Sequence, residues 1–276
     1  MKHILFRTWV IIPILLCVAL GLFLYTSMVY PSALFDSSQN QINKVVPEEI
    51  LDDHFALGEY YFNQPPYNFG VYDLEKAKYH YSQAIADAIA TAEPIPLYAW
   101  YNLARVDFVQ AKNDQTIFKL EQQLAVHGDA VPQTYYMLGL TYGYQALKTD
   151  SDSDWQAAET AFLKFMEYAP NSPWPRVDLA WVYFGQGKFA EMLPLLEEGI
   201  AINDNHAWLL NTYGLALLNT GDKSGAREAF IQAQKAYRDL SVEDWQNAYI
   251  ENDPSYWNRN FELFGATIAY NLSLVE

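Results

Sequence analysis

Cysteine is almost missing from this 276-residue sequence, Cys17 being the only one. Everything after it can form neither a disulfide nor a cysteine-ligated metal site. An exported domain without cysteines suits an oxidising compartment, although many cytosolic domains lack them too. Basic side chains are scarce as well, with 17 Lys and Arg against 33 Asp and Glu. All 33 acids lie from Asp36 onward together with 15 of the bases, so that part carries a net charge of −18. This argues against binding nucleic acid or an anionic membrane surface, since both reward clustered positive charge. A cationic partner is admitted; the same acidity also keeps a domain soluble by self-repulsion.

The marks of enzymatic chemistry are missing too. There is no glycine-rich phosphate loop after a strand, no serine nucleophile elbow and no His-Glu-x-x-His pair. His54, His80, His127 and His206 fall at no metal-ligand spacing, and His54 reads as a packing residue. Acidic pairs such as Glu197-Glu198 read as solvated helix surface. No catalytic residue, cofactor or metal is expected.

Charge is absent from Thr8 to Phe35. A helix over residues 8–29, rising ~1.5 Å per residue, is long enough to cross a ~30 Å hydrocarbon core. Lys2 and Arg7 precede it, which keeps residues 1–7 cytoplasmic and carries the rest to the periplasmic or extracellular side. A cleaved signal peptide also starts with a basic region. The apolar run is longer than the ~7–15 residues usual there, and no Ala-x-Ala-like site follows. A lipoprotein cysteine would need small residues before it, but Leu15 and Leu16 precede Cys17. Residues 30–46, polar around Ser37 to Asn43, read as a stalk, and Pro47 opens the first helix of an array over 47–237.

From there apolar stripes of helical period are cut at short intervals by Gly, Pro and Asn or Asp, with no strand-like alternation. Leu179-Ala180-x-x-Tyr183 with Gly187 recurs as Tyr213-Gly214-x-x-Leu217 with Gly221, 34 residues on. His54-x-x-Leu57-Gly58-x-x-Tyr61, Ala99-Trp100-Tyr101-Asn102-Leu103-Ala104 and Tyr135-x-x-Leu138-Gly139-x-x-Tyr142 are further versions of that first helix. A second-helix half appears as Ala77, Tyr81, Ala84; as Ala158, Phe162 and then Pro170; and as Ala226, Phe230, Ala233. It is degenerate in the second repeat, where Thr116, Leu120 and Gln123 stand instead. These five units resemble the tetratricopeptide repeat, whose period is 34 residues. The resemblance implies an all-α, right-handed superhelical solenoid of helical hairpins, and a membrane-anchored bacterial member of that family.

The small residues at 58, 104, 139, 180 and 214 are spaced by 46, 35, 41 and 34 positions, so two hairpins carry extra residues. Asn63 to Gly70 in the first and Thr149 to Asp154 in the third are expected to lengthen the loops between paired helices. Beyond Tyr237 the pattern fades. Ser241 caps a helix through about Asn252, Asp253-Pro254 breaks it, and a last helix from Tyr256 to about Leu274 completes a capping segment over 238–276. Asn271-Leu272-Ser273 matches a glycosylation acceptor, which matters only in a glycosylating host.

Hairpin stacks curve, and one row of each first helix lines the inner surface. That row contains Tyr98, Tyr101, Arg105 and Phe108 in the second repeat; Gln133, Tyr136, Leu140 and Gly143 in the third; Trp174, Val177, Trp181 and Phe184 in the fourth; Trp208, Asn211, Leu215 and Leu218 in the fifth. Trp, Tyr and Arg are the usual anchors of interfaces. Trp181, Tyr101 and Arg105 are assigned to a groove, whereas Trp174 and Trp208 could equally pack between repeats. Some members of the family clamp a partner's terminal carboxylate with Lys and Asn on this row; Arg105 and Asn211 are present but no Lys is, so an acidic tail fits poorly. The expectation is a membrane-anchored scaffold or adaptor that takes an apolar or aromatic segment of a protein or peptide, with a basic flank, in an assembly or maturation process. Two alternatives stand beside it: an accessory domain of an enzyme complex with its site in the inserted loops around Tyr67 and Asp152, and a homo-oligomeric spacer.

Overall fold

The computed structural model of the chain describes residues 46–62, 72–248 and 256–276. Among the described residues there are twelve α-helices and no strand. Five hairpins follow one another: α1 (His54–Tyr61) with α2 (Leu74–Thr91), α3 (Ala99–Val109) with α4 (Asn113–His127), α5 (Gln133–Thr149) with α6 (Asp152–Tyr168), α7 (Trp174–Gly185) with α8 (Phe189–Ile202), and α9 (Ala207–Thr220) with α10 (Lys223–Arg238). Each hairpin's first helix also packs on the second helix of the hairpin before it. Helices α11 (Val242–Ala248) and α12 (Trp257–Ser273) follow, and α12 lies on α10.

Side chains fix the helix ends. Asp53, Asp73, Ser151 and Asp222 each accept a hydrogen bond from the backbone N–H three residues on, meeting a donor the helix leaves unpaired. Ser241 and Asp244 cap α11 reciprocally, since the Ser241 N–H donates to Asp244 Oδ2 at 2.8 Å and the Asp244 N–H to Ser241 Oγ at 3.2 Å.

The small residue of each first helix matches what faces it. A methyl group on Gly58, Gly139 or Gly214 would come within 2.5, 2.8 and 2.5 Å of the Tyr81, Phe162 and Phe230 rings respectively. Where the facing residue is the slimmer Leu120 or Leu196, the small residue is Ala104 or Ala180, and all four are fully buried. Ring plus glycine and leucine plus alanine therefore fill comparable space, which keeps the helices of every hairpin in close packing. The degenerate second repeat has its own reason: buried Gln123 accepts from the Tyr101 N–H at 3.1 Å and donates to the Leu97 carbonyl at 2.7 Å, tying down the entry to α3.

One expectation is corrected. The extra residues of the third hairpin do not lengthen a loop, because α5 and α6 are each 17 residues long and only Asp150 and Ser151 lie between them. Asp150 turns the chain in the left-handed region at φ 54° and Ser151 caps α6 at once. The insertion thus extends both helices, and no loop at Asp152 remains to carry a separate site. The segment Asn63 to Gly70, residues 8–29 and the stalk up to residue 45 lie outside the described residues. Among the described residues no helix is long and apolar enough to cross a membrane.

Candidate partner-binding groove

Successive first helices touch through their shared inner row. The Phe108 ring of α3 lies 5.9 Å from Tyr144 of α5, and Tyr144 lies 5.2 Å from Trp181 of α7. All three are half-buried. The Trp181 indole rests on Gly143, where an added methyl would come within 2.5 Å of it. Gly143 thus leaves the space that Trp181 fills, and the next residue, Tyr144, supplies the ring. These contacts make a continuous aromatic ladder across three hairpins, with half-buried Tyr136 and Leu140 beside it.

Polar contacts join the same helices. On α5 the Tyr136 hydroxyl donates to Asp178 Oδ2 of α7, and the Tyr136 ring packs 5.2 Å from Phe165 and 5.7 Å from Phe162. Burial in this aromatic setting pushes the Asp178 carboxyl up to about 7, and the hydrogen bond from Tyr136 offsets only part of that. At the N-terminal end, Glu59 of α1 accepts from Tyr81 Oη at 2.9 Å and from Asn102 Nδ2. Its carboxyl is raised by burial, opposed by Tyr81, the Arg105 charge and Asn102. Arg105 donates to Asn102 Oδ1 at 3.3 Å and lies over the Phe62 and Tyr101 rings, 5.1 and 5.7 Å from their centres.

The residues expected to line the groove divide into two groups. Tyr98 is 40% exposed, and Phe108, Tyr136, Leu140, Trp174, Trp181 and Trp208 are half-buried. Tyr101, Arg105, Phe184 and Asn211 are at least nine-tenths buried and do not offer an open surface. Tyr101 belongs to the core between the second and third hairpins, and Phe184 packs on Phe189 within its own. Asn211 accepts from Asn271 Nδ2 at 2.9 Å, so α12 covers that position. The same contact buries Asn271, which leaves its glycosylation triplet inaccessible in the folded chain. Trp208 lies between Phe264 and Trp245, at 4.7 and 5.7 Å, with Trp174 at 5.0 Å, and serves the packing of the C-terminal helices. His206 caps α9 by accepting the Leu209 N–H at 3.2 Å, and burial lowers its imidazole to about 4.

Three features have no counterpart in the inner row as read from the sequence. Tyr144 lies one residue past Gly143, a place to look once a row position is glycine. Asp178 is a lone acid whose surroundings come from α5, 42 residues away. His54 and His80 share a hydrogen bond between their Nδ1 atoms at 2.8 Å. Among the described residues no three His, Cys, Asp or Glu side chains converge to hold a metal. A cavity of about 660 Å³ opens on another face of the third hairpin, between Tyr135, Leu138 and Tyr142 of α5 and the Ser153 to Lys164 stripe of α6.

No family model matches the chain, and no curated protein matches it in sequence. Several solved structures share its architecture. A crystal structure of MamA superposes with a TM-score of 0.52 at 17% identity, covering 71% of this chain and 93% of that one. MamA from AMB-1 gives 0.51 at 19% identity, covering 69% and 93%. TTC0263, described as a thermophilic TPR protein in Thermus thermophilus, gives 0.50 at 14% identity, covering 67% and 90%.

Proposed function

We propose that this chain, which has the tetratricopeptide-repeat fold, is a membrane-anchored adaptor whose inner groove takes an apolar or aromatic segment of a partner protein. The carrying observation is the half-buried ladder Phe108–Tyr144–Trp181, which spans three hairpins and retains accessible ring surface. Rigid aromatic side chains lose little conformational freedom on binding and make favourable anchors for a helix or extended peptide. The anchor is the uncharged run over residues 8–29, and Lys2 and Arg7 before it favour an outer, periplasmic or extracellular, position for the array. That placement suits a role in assembly or maturation at the membrane surface.

A single experiment tests both halves. The full chain, cross-linked in its own membranes, is expected to stay in the membrane pellet after alkaline washing and to retain one discrete partner. The Tyr144→Ala/Trp181→Ala double variant is expected to stay in the pellet with an unchanged helical signal but to lose that partner. Release of the wild-type chain by the wash contradicts the anchor, and equal retention of the partner by the double variant contradicts the groove.

A further inference from the structure

Three carboxylates among the inward helices, Asp107 buried and Glu59 and Asp178 half-buried, differ in how they are compensated. Asp107 has no exposed side-chain surface and meets two lysines, Lys78 Nζ at 2.6 Å and Lys119 Nζ. Glu59 has Arg105, Asn102 and Tyr81 around it. Asp178 has a single hydroxyl, from Tyr136, and among the described residues no basic side chain pairs with it. A carboxylate taken out of water without a cation is unfavourable, and folding alone gives no reason to retain one.

Its position supplies a reason. Asp178 follows the row residue Val177 on α7, with Trp181 one helical turn on and the row residue Tyr136 of α5 hydrogen-bonded to it. Trp181 in turn touches Tyr144. A carboxylate one helical turn from a Trp–Tyr ring pair is the chemistry that receives an ammonium or guanidinium group, by charge-assisted hydrogen bonding together with cation–π attraction. The charge of −18 from Asp36 onward draws cationic segments toward the array before contact. We infer that Asp178, backed by Tyr136 and with the Trp181–Tyr144 ring pair one helical turn on, is the receptor for one lysine or arginine side chain of the partner segment. This rests on the groove function proposed above and names the chemistry that the groove selects. The raised carboxyl is consistent with it, because an arriving cation restores what burial removes.

The test uses a phage-displayed library of random 15-residue peptides selected against the full chain in detergent. Selected peptides are expected to carry a Lys or Arg next to aromatic or aliphatic residues. Asp178→Asn retains the side-chain shape and an oxygen for the Tyr136 hydroxyl, so the fold is kept. It is expected to weaken the best peptide about ten- to a hundredfold. Replacing the peptide's Lys by norleucine, or its Arg by citrulline, is expected to cause a similar loss in the wild type and little further loss in Asp178→Asn. Peptides without a basic residue, or unchanged affinity in Asp178→Asn, overturn the cation receptor; if Trp181→Ala and Tyr144→Ala still abolish binding, the groove itself stands. Peptides indifferent to Trp181→Ala and Tyr144→Ala, or a library without binders, overturn both.

Discussion

Asp107→Ala is expected to destabilise the array by about 3–5 kcal/mol, the loss that follows when one partner of a buried ion pair is removed. Asp107 lies on α3, and its carboxylate joins Lys78 of α2 to Lys119 of α4, so one side chain connects three helices of the first two hairpins. The lysines are 32% and 13% exposed, and without Asp107 they must turn toward water across a cavity. Helical repeats couple mainly to their neighbours, so the loss is expected to be concentrated in α1–α4. Hydrogen exchange is the direct measurement: protection should fall in α2, α3 and α4 and persist in α9 and α10. A loss below about 1 kcal/mol would place these pairs with ordinary surface salt bridges and contradict the assignment.

Asp178→Asn is expected to do the reverse at neutral pH. The folded carboxyl titrates near 7 against an ordinary value of 3.8, so between those values the folded state holds a proton that the unfolded chain has released. Stability from this group is therefore complete below about 4, declines as pH rises, and is lost above 7. At about 1.4 kcal/mol per pKa unit the difference comes to about 4–5 kcal/mol, and the residue's half-buried position reduces it to roughly 2–4 kcal/mol. Denaturant unfolding should show the variant more stable than the wild type at pH 8 and nearly equal to it at pH 4. Equal stability at both pH values would mean that the Asp178 carboxylate is solvated. A residue that weakens the fold in its ionised form fits a site shaped for binding, since stability and function often conflict at such positions.

The repeats are legible because their signals are local. Gly58, Gly139 and Gly214 and the facing Tyr81, Phe162 and Phe230 recur at spacings that chain order preserves. The helix ends at Asp53, Asp73 and Asp222 follow from residues within one turn. The segment at Thr149 to Asp154 misleads because its Asp and Ser residues suit both a polar loop and the caps of two longer helices, and only the packing of α5 on α6 decides between them. A further local signal lies beyond the five repeats: Phe261-x-x-Phe264-Gly265-x-x-Ile268 has the spacing of another first helix, and a methyl on Gly265 would collide with the Tyr237 ring of α10. Helix α12 thus packs against the fifth hairpin as a further first helix would.

The groove is less legible because its accessibility depends on tertiary partners. Arg105 is recognisable as an anchor type, but its burial depends on Phe62, 43 residues earlier in the chain, and on Tyr101. Asn211 is covered by Asn271, and Trp208 by Phe264 and Trp245, all supplied by helices beyond the repeats. Tyr144 replaces the missing side chain of Gly143, a compensation that becomes visible only once Trp181 is seen to occupy that space.

Site-directed photo-cross-linking tests the groove most directly. A benzoylphenylalanine is placed either at Tyr144, in the aromatic ladder, or at Thr160, on the α6 face that borders the separate cavity, in the full chain within its own membranes. The groove account predicts one discrete protein adduct from position 144, lost with Trp181→Ala, and none from position 160. An adduct from position 160 with none from position 144 would contradict it.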